Sequence, residues 1–315
     1  HRRCYAGCES SCERIRILGV LPGLQRSVKE IEADSSLSQP DRFRERIEAL
    51  DRLDAYDLDS PFVDRDSAST EAALYRRAIR LRAQLEDSNA QFYEGIRDAI
   101  RGGAGRDVLL QCAPEAAREE PRQGDASAFG DGDSYDYLDE LISGVLRFDA
   151  TDEPKVDLPA EMVAYQPTPA RHLVDLIRRS CLSPQDVFID LGSGLGHVAL
   201  LVAACTNAET IGIEIEPAYV EAARRCAAEL HLTQATFLAQ DVREADLSSG
   251  TVFYLYTPFR GAILRAVLDQ LRTRANQRVI RICTFGPCTP IVAAESWLAL
   301  DAAQSGHISV FRSRR

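Results

Sequence analysis

The chain has 315 residues, of which 45% are hydrophobic and 27% charged, and its formal net charge is −11. This length suits two folded domains with an ample core. The acidic balance argues against nucleic acid as principal partner, because phosphate backbones attract clustered Lys and Arg. No apolar run approaches the roughly 20 residues of a membrane span, and no secretory signal is recognisable, so we expect a cytoplasmic protein. The sequence leaves the oligomeric state open.

Three of the nine cysteines, Cys4, Cys8 and Cys12, recur at every fourth position near the start of the chain. In a helix this spacing places three thiols on one face. It differs from the Cys-x2-Cys pairing that is typical of zinc sites, and we predict no bound metal. Whether these thiols bind a metal, a cluster or anything else stays open as the alternative, and a packed or reduced stripe is the plainer interpretation.

The first predicted domain, residues 1–110, is helical by its pattern of apolar residues. One stripe runs from Phe43 to Leu53 after a candidate N-cap at Ser38, and a longer one runs from Leu74 to Ile100. Both follow the spacing that places side chains on one helix face. These helices are candidates for substrate selection, and a structural or dimerising cap is an equally good interpretation.

Two segments precede the last predicted domain. Residues 111–134 are rich in Gly, Pro and acids and are predicted to form a flexible linker. Residues 135–170 are predicted to form a helix up to Leu146 and then a loop that covers the active site of the next domain, because elements before the first strand of an α/β sheet commonly lie over the ligand. Residues 171–315 are predicted to form that sheet domain.

The most informative stretch is an apolar strand, Val187 to Ile189, that ends at Asp190. Three alternate glycines, Gly192, Gly194 and Gly196, follow before a helix begins. Glycine is needed where the chain turns tightly and where its backbone must approach a ligand more closely than a Cβ would allow. The turn therefore predicts a nucleotide-like cofactor lying across it.

A nicotinamide cofactor is the nearest competing interpretation. Its fingerprint is Gly-x-Gly-x-x-Gly, and counting from Gly192 the sixth position is His197. The third glycine stands one residue too early for that fingerprint. A different nucleotide-like ligand is therefore favoured.

The strands that follow support the same site. A second strand ends at Glu214, about 20 residues after the first glycine, where a carboxylate can accept both ribose hydroxyls. A third strand is followed by Asp241 and Val242, and a fourth leads into the run from Tyr256 to Phe259. A fifth strand and a closing antiparallel hairpin complete a predicted Rossmann-like, seven-stranded α/β sheet.

The run from Asp190 to Gly196 resembles the Asp-x-Gly-x-Gly-x-Gly motif of class I S-adenosylmethionine-dependent methyltransferases. The longer run from Asp186 to Val198 is similar to the cofactor motif of the histone lysine methyltransferases that lack a SET domain. The segment Tyr165-Gln166-Pro167-Thr168-Pro169, which precedes an amphipathic helix, is similar to that of bacterial and mitochondrial lysine methyltransferases acting on membrane carrier and ATP synthase subunits. The matches are specific for the cofactor and much less so for the substrate.

The resemblance implies S-adenosyl-L-methionine as the cofactor and a set of residues around it. The backbone of the glycine turn would contact the methionine part, Asp190 its ammonium group, Thr168 its carboxylate, Glu214 the ribose, and Asp241 with Val242 the adenine. The implied cofactor-binding residues are Thr168, Asp190, Gly192, Ser193, Gly194, Gly196, Glu214, Asp241 and Val242.

For the acceptor, the resemblance implies N-methylation of a protein lysine. An aromatic entrance built from Tyr165, Tyr256 and Phe259 would lower the pKa of an amine acceptor by desolvation, so we predict Tyr165 and Tyr256 as catalytic residues and Phe259 as a substrate contact. Packing of Tyr256 and Phe259 against the cofactor is an equally good interpretation. The run from Tyr256 to Phe259 lacks the Asn, Asp or Ser that amino-group methyltransferases of nucleic acid place before their prolines. This departure argues against base methylation through that geometry. A small-molecule or nucleic-acid methyltransferase, and a catalytically silent cofactor-binding protein, stay open as alternatives.

Overall fold

The computed structural model describes residues 21–59, 66–113, 136–148, 161–162, 165–256, 259–301 and 307–314. The chain separates into two compact units, residues 1–94 and 95–315. The predicted division into four segments stays a prediction, and most of the predicted linker lies outside the described residues, as do Cys4, Cys8 and Cys12.

The first unit is helical in its described residues. Helix α1 covers 21–33, α2 covers Phe43–Asp54, and α3 covers Thr70–Arg101, of which the part up to residue 94 belongs to this unit. Leu24, Val28 and Leu53 are completely buried in its core. The predicted cap at Ser38 is wrong. Ser38 ends a 3-10 turn, Ser35–Ser38, and a second 3-10 turn, Pro40–Arg42, lies between it and α2. The Ser38 hydroxyl donates to the Ser35 carbonyl instead of capping the helix.

In its described residues, the second unit is built on one sheet of seven strands in the order β3-β2-β1-β4-β5-β7-β6. The first five strands are parallel, whereas β7 is antiparallel to both β5 and β6. The predicted α/β class and seven-stranded sheet are confirmed. The bounds are β1 Val187–Leu191, β2 Glu209–Glu214, β3 Ala235–Ala239, β4 Val252–Leu255, β5 Arg281–Thr284, β6 Leu298–Leu300 and β7 Ser309–Ser313.

Two helices of this unit begin at capping residues. Helix α5 begins after a capping box of Asp136 and Asp139, and α8 begins with a proline in its first turn after the Glu216 cap. Their bounds are α4 Gly105–Gln111, α5 Tyr137–Leu146, α6 Ala170–Arg179, α7 His197–Cys205, α8 Pro217–Glu229, α9 Gly261–Ala275 and α10 Thr289–Ala293.

The sheet order has one consequence for function. Strand β1 pairs with β2 on one side and with β4 on the other, so the strand order reverses at β1. In open parallel sheets, ligands bind in the crevice outside the carboxyl ends of the strands at such a reversal. The carboxyl end of β1 is Asp190 and Leu191, which places the glycine turn at this crevice.

Candidate cofactor-binding site

The glycine turn has the backbone that its sequence requires. Gly192, Gly194 and Gly196 have φ angles of 86°, 53° and 86°, in the left-handed region that favours glycine. At Gly196 the space is also short, because an added Cβ would lie 2.7 Å from the Phe237 ring. The third glycine therefore also allows α7 to pack closely on the neighbouring elements.

The backbone amides of this turn donate their hydrogen bonds to acceptors within the protein. Gly192 and Ser193 donate to the Ile213 carbonyl at 2.9 and 3.0 Å, and Gly196 donates to the Ser193 carbonyl at 2.8 Å. Gly194 donates to a Glu214 carboxylate oxygen at 2.8 Å. The turn thus allows a ligand to approach its backbone closely. In this conformation its three glycine amides already donate within the protein and are not free for the methionine part.

Among the carboxyl groups of the site, Asp190 is the one whose burial and pKa are most unusual. It is 3% exposed, and its Oδ2 atom has no hydrogen-bond partner. Burial and the nearby Glu214 carboxylate raise the pKa of Asp190 to about 8. A buried carboxyl without a partner costs free energy unless a ligand satisfies it. A cationic group placed against Asp190 would supply that interaction.

Both carboxylate oxygens of Glu214, at the end of β2, accept hydrogen bonds from backbone amides. Beside the bond from Gly194, its other oxygen accepts from the amides of Ile215 and Glu216 at 2.8 and 3.0 Å. A carboxylate has about four acceptor sites. Glu214 therefore keeps capacity for about one further donor, such as a ribose hydroxyl.

Tyr165 lies directly on the glycine turn. A Cβ added at Gly194 would overlap the Tyr165 ring, and the Tyr165 hydroxyl lies 2.8 Å from Nδ1 of His197. The Tyr219 ring lies 5.3 Å from the Tyr165 ring, and the Phe148 ring lies 4.7 Å from the His197 ring, measured between centroids. We call these four side chains, Phe148, Tyr165, His197 and Tyr219, the aromatic cluster.

Thr168 lies deeper than a loop residue facing an open site. It is 6% exposed, and its hydroxyl lies 3.1 Å from the hydroxyl of Tyr254, a completely buried residue of β4. Tyr254 is paired with Asp190 in the register of the sheet. The structure therefore brings Thr168, Tyr254 and Asp190 together as buried polar groups below the crevice.

The residues proposed for the adenine differ in exposure. Asp241 accepts from the guanidinium of Arg243 with both oxygens, the shortest bond being 2.6 Å, and this pairing lowers its pKa. Val242 is 5% exposed and belongs to the sheet core. Asp241 therefore presents its carboxylate already paired, which leaves its backbone and Val242 as the simpler surfaces for a base.

The proposed acceptor residues lie after β4. Tyr256 is half-buried, with its ring centroid 4.7 Å from that of Phe285 after β5. Phe259 is 2% exposed, packs in the sheet core and forms a bridge with Met162. Residues 257 and 258 lie outside the described residues. Tyr256 is thus placed to contact a ligand, whereas Phe259 is placed to support that edge from below.

The residues present fit S-adenosylmethionine. Its ammonium is the kind of cation that the unpartnered Asp190 would accept, and its ribose could use the remaining acceptor capacity of Glu214. Ser193 adds a second buried oxygen without a partner in the turn. Sequence analysis did not assign Tyr254, Tyr219, Phe148 or Phe285 to the site. The available signal was an aromatic residue near the end of a strand or near one end of a helix.

Within the described ranges, no group of three His, Cys, Asp or Glu residues lies close enough to hold a metal ion. Among the described helices, none combines the length and apolar character needed to cross a bilayer.

The chain is similar to known methyltransferases. Residues 162–253 match the model of a family described as histone methylation protein DOT1. Over 99 residues the chain is 29% identical to the ribosomal protein L11 methyltransferase of Cupriavidus taiwanensis strain DSM 17343, which covers 31% of this chain. The chain spans only 32% of the length of that relative.

Solved structures with a similar fold include an RNA methyltransferase from Salinibacter ruber in complex with S-adenosyl-L-homocysteine. It is 28% identical, with a TM-score of 0.36, and the match covers 47% of this chain and 92% of that one. A ribosomal protein L11 methylase from Lactobacillus delbrueckii subsp. bulgaricus is 18% identical, with a TM-score of 0.36 and coverages of 49% and 91%. At these TM-scores the structures carry no argument about the acceptor.

The family match lies on the part of the chain that holds the glycine turn, the unpartnered Asp190 and Glu214. This part of the chain is an S-adenosylmethionine-dependent methyltransferase domain, with S-adenosylmethionine as its cofactor.

Proposed function

We propose that the whole protein transfers a methyl group from S-adenosylmethionine to the side-chain amine of a protein lysine. The observation that carries this proposal is the match of residues 162–253 to the histone methylation family. That range includes the segment from Tyr165 to Pro169, the glycine turn and the first half of β4. The relative described as a ribosomal protein L11 methyltransferase is also named for a protein acceptor.

The edge of the sheet after β4 and β5 supports an amine acceptor. The half-buried Tyr256 ring packs on Phe285, and Phe285 in turn packs on His172 with 4.4 Å between ring centroids. Aromatic faces attract methylated ammonium groups, so a ring held rigidly in this position would stabilise the product cation. Tyr256 is the proposed contact, and Phe285 holds its ring in place.

Direct transfer requires a neutral acceptor nitrogen, because an ammonium has no lone pair. Burial of the lysine side chain against Tyr256 and Tyr165 would lower its pKa by desolvation. The nitrogen lone pair then forms the new bond to the methyl carbon, the carbon–sulfur bond breaks with its electron pair going to sulfur, and the amine proton is lost to water. Bound S-adenosylmethionine supplies the electrophilic methyl group.

The remaining residues bind and orient. Asp190 in its ionised form would hold the ammonium of the methionine part, with Thr168 near the carboxylate. Glu214 would take a ribose hydroxyl, and Val242 would pack against the base. Holding donor and acceptor within about 3 to 3.5 Å in line accounts for most of the acceleration in such a step.

The test is transfer of tritium from labelled S-adenosylmethionine to basic proteins. Purified protein would be incubated with histones, with a ribosomal protein fraction and with RNA, and the labelled residue identified by mass spectrometry. We expect label on lysine that resists base treatment. The matched control is Asp190→Asn, which keeps the shape of the side chain and should abolish transfer.

The chain's own lysines permit a second control. It has only Lys29 and Lys155, so Lys29→Arg and Lys155→Arg separate automethylation from transfer to a substrate. Label found only in RNA or in a small molecule would contradict the lysine proposal. Binding of the cofactor without any transfer would favour a silent cofactor-binding protein.

A further inference from the structure

An aromatic ring from the segment before α6 lies directly on the glycine turn. The Tyr165 ring contacts Gly194 so closely that a Cβ there would overlap it. Gly194 belongs to the loop after β1, where sheets of this topology bind their ligand. We propose that Tyr165 is a gate, and that the cofactor binds only after this ring has moved off the turn. The identity of the ligand rests on the proposed function.

The closed position of the gate is held by identifiable contacts. The Tyr165 hydroxyl is hydrogen-bonded to Nδ1 of His197, the first residue of α7, at 2.8 Å. Tyr219 packs on Tyr165 from α8, and Phe148 packs on His197. The hydrogen bond is directional, whereas the aromatic contacts can slide, so we call the Tyr165–His197 bond the latch.

The latch does not depend on a charged histidine. Burial lowers the pKa of His197 to about 4, so its imidazole is neutral near pH 7. A neutral imidazole has one donor and one acceptor nitrogen, and either can bond to a hydroxyl. The latch is therefore a neutral hydrogen bond, which a single substitution on either side removes.

Opening the gate leaves the turn itself intact. The bond from Gly194 to Glu214 holds the turn from the other side, and it does not involve the aromatic cluster. Tyr165 can therefore move without unfolding the cofactor site. The apparent dissociation constant of such a site is the intrinsic one divided by the fraction of open molecules. Weakening the latch should raise that fraction.

The test is binding of S-adenosylhomocysteine, which cannot donate a methyl group. Equilibrium affinity would be measured by calorimetry and association rates by stopped flow for Tyr165→Phe, His197→Ala and Tyr165→Ala. Loss of one neutral hydrogen bond predicts roughly two- to tenfold tighter binding for the first two variants. Tyr165→Ala, which removes the ring, should bind at least as tightly and associate fastest.

Two variants serve as matched controls. His197→Asn keeps a polar atom near the position of Nδ1 and should bind like the wild type. Tyr219→Phe keeps the ring that packs on Tyr165 and does not touch the latch. It should leave the affinity and the association rate unchanged. Thermal unfolding of each variant without ligand shows whether it is folded. If Tyr165→Ala does not fold, the other two latch variants still decide.

Weaker or unchanged binding in Tyr165→Phe and Tyr165→Ala would overturn the gate, because the ring would then be a ligand contact or a bystander. Absence of binding in every opened variant would overturn it too. Failure of the proposed function gives a different result. Binding would tighten as expected, and no protein lysine would receive label from S-adenosylmethionine.

Discussion

An aspartate lies near each end of β1, and the two differ in their hydrogen-bond partners and in their pKa. Just before the strand, Asp186 accepts from the amide and hydroxyl of Ser183, from Thr251 and from Arg281, at 2.8 to 2.9 Å. Burial alone would raise the pKa of Asp186, yet these hydrogen bonds lower it to about 2. This carboxylate ties the starts of three neighbouring strands together.

Near the other end of the strand, Asp190 is more deeply buried and its Oδ2 has no partner. Burial and the Glu214 carboxylate raise its pKa to about 8. The difference between the two acids separates stability from function along a single strand. Asp186 is satisfied within the protein and stabilises the fold, whereas Asp190 is left for a ligand at a cost to the fold.

The largest effect is expected from Asp190→Asn, which keeps the shape and removes the charge. If Asp190 binds the cofactor ammonium, removing one partner of this buried charge pair should cost about 2 to 5 kcal/mol of binding free energy. The unfolding free energy without ligand should change little, because Asn replaces a buried carboxyl that is neutral below about pH 8 and whose Oδ2 already lacks a partner. Calorimetry with S-adenosylhomocysteine and thermal unfolding measure the two quantities. A variant that unfolds early but binds normally would break the comparison.

The opposite result is expected at the other end of the strand. Asp186→Asn should lower the unfolding free energy by about 1 to 3 kcal/mol, because charge-assisted hydrogen bonds are lost. Affinity for S-adenosylhomocysteine should stay unchanged. Urea unfolding of the two variants side by side is the direct check. The pKa of Asp186 is depressed, so its stabilising effect is present above about pH 4 and is lost as pH falls towards about 2.

The pH dependence of cofactor binding sharpens the contrast. Asp190 is protonated in the free protein below about pH 8, and it must ionise to hold a cation. Binding therefore releases a proton, and affinity should rise by about tenfold per pH unit at most between roughly pH 6 and 8. The groups facing Asp190 are Glu214 and Tyr254. Calorimetry in buffers of different ionisation enthalpy counts the proton, and Asp190→Asn should remove its release.

The unfolding free energy depends on pH in the opposite direction to the affinity, because of the same Asp190 carboxyl. Because the folded pKa of Asp190 lies above its unfolded value, its contribution to stability is lost as pH rises towards about 8. The protein without ligand should therefore lose stability over the range in which it gains affinity. Equal stability at pH 5 and pH 8 in both wild type and Asp190→Asn would contradict the raised pKa.

Local sequence patterns predicted the parts of the site that depend on neighbouring residues. The strand, the glycine turn and the acid at the end of β2 follow from composition and spacing over a few residues, and the positive φ angles agree with them. The prediction of a cap at Ser38 was wrong because that residue ends one 3-10 turn and a second follows it, so that Arg42 stands at the N-cap position of α2. A pattern of residue types does not rank such local alternatives.

The other features depend on contacts between distant positions. Thr168 and Tyr254 are 86 residues apart, and Tyr165 and His197 are 32 apart. No periodicity links such residues, so only the folded sheet reveals that they meet. The internal use of the glycine amides is of the same kind, because Ile213 reaches Gly192 only through the pairing of β1 with β2. Residue types were predictable here, and partners were not.

The smallest effect is expected beside Asp190, in the Thr168–Tyr254 pair. Tyr254→Phe leaves the buried Thr168 hydroxyl without its 3.1 Å partner and should cost about 0.5 to 1.5 kcal/mol of unfolding free energy. Thr168→Val removes the other partner at a similar cost. Only Thr168→Val should weaken S-adenosylhomocysteine binding, if Thr168 touches the methionine carboxylate. A double-mutant cycle on both quantities separates the roles, since equal losses of affinity in the two single variants would mean that Thr168 acts only through Tyr254.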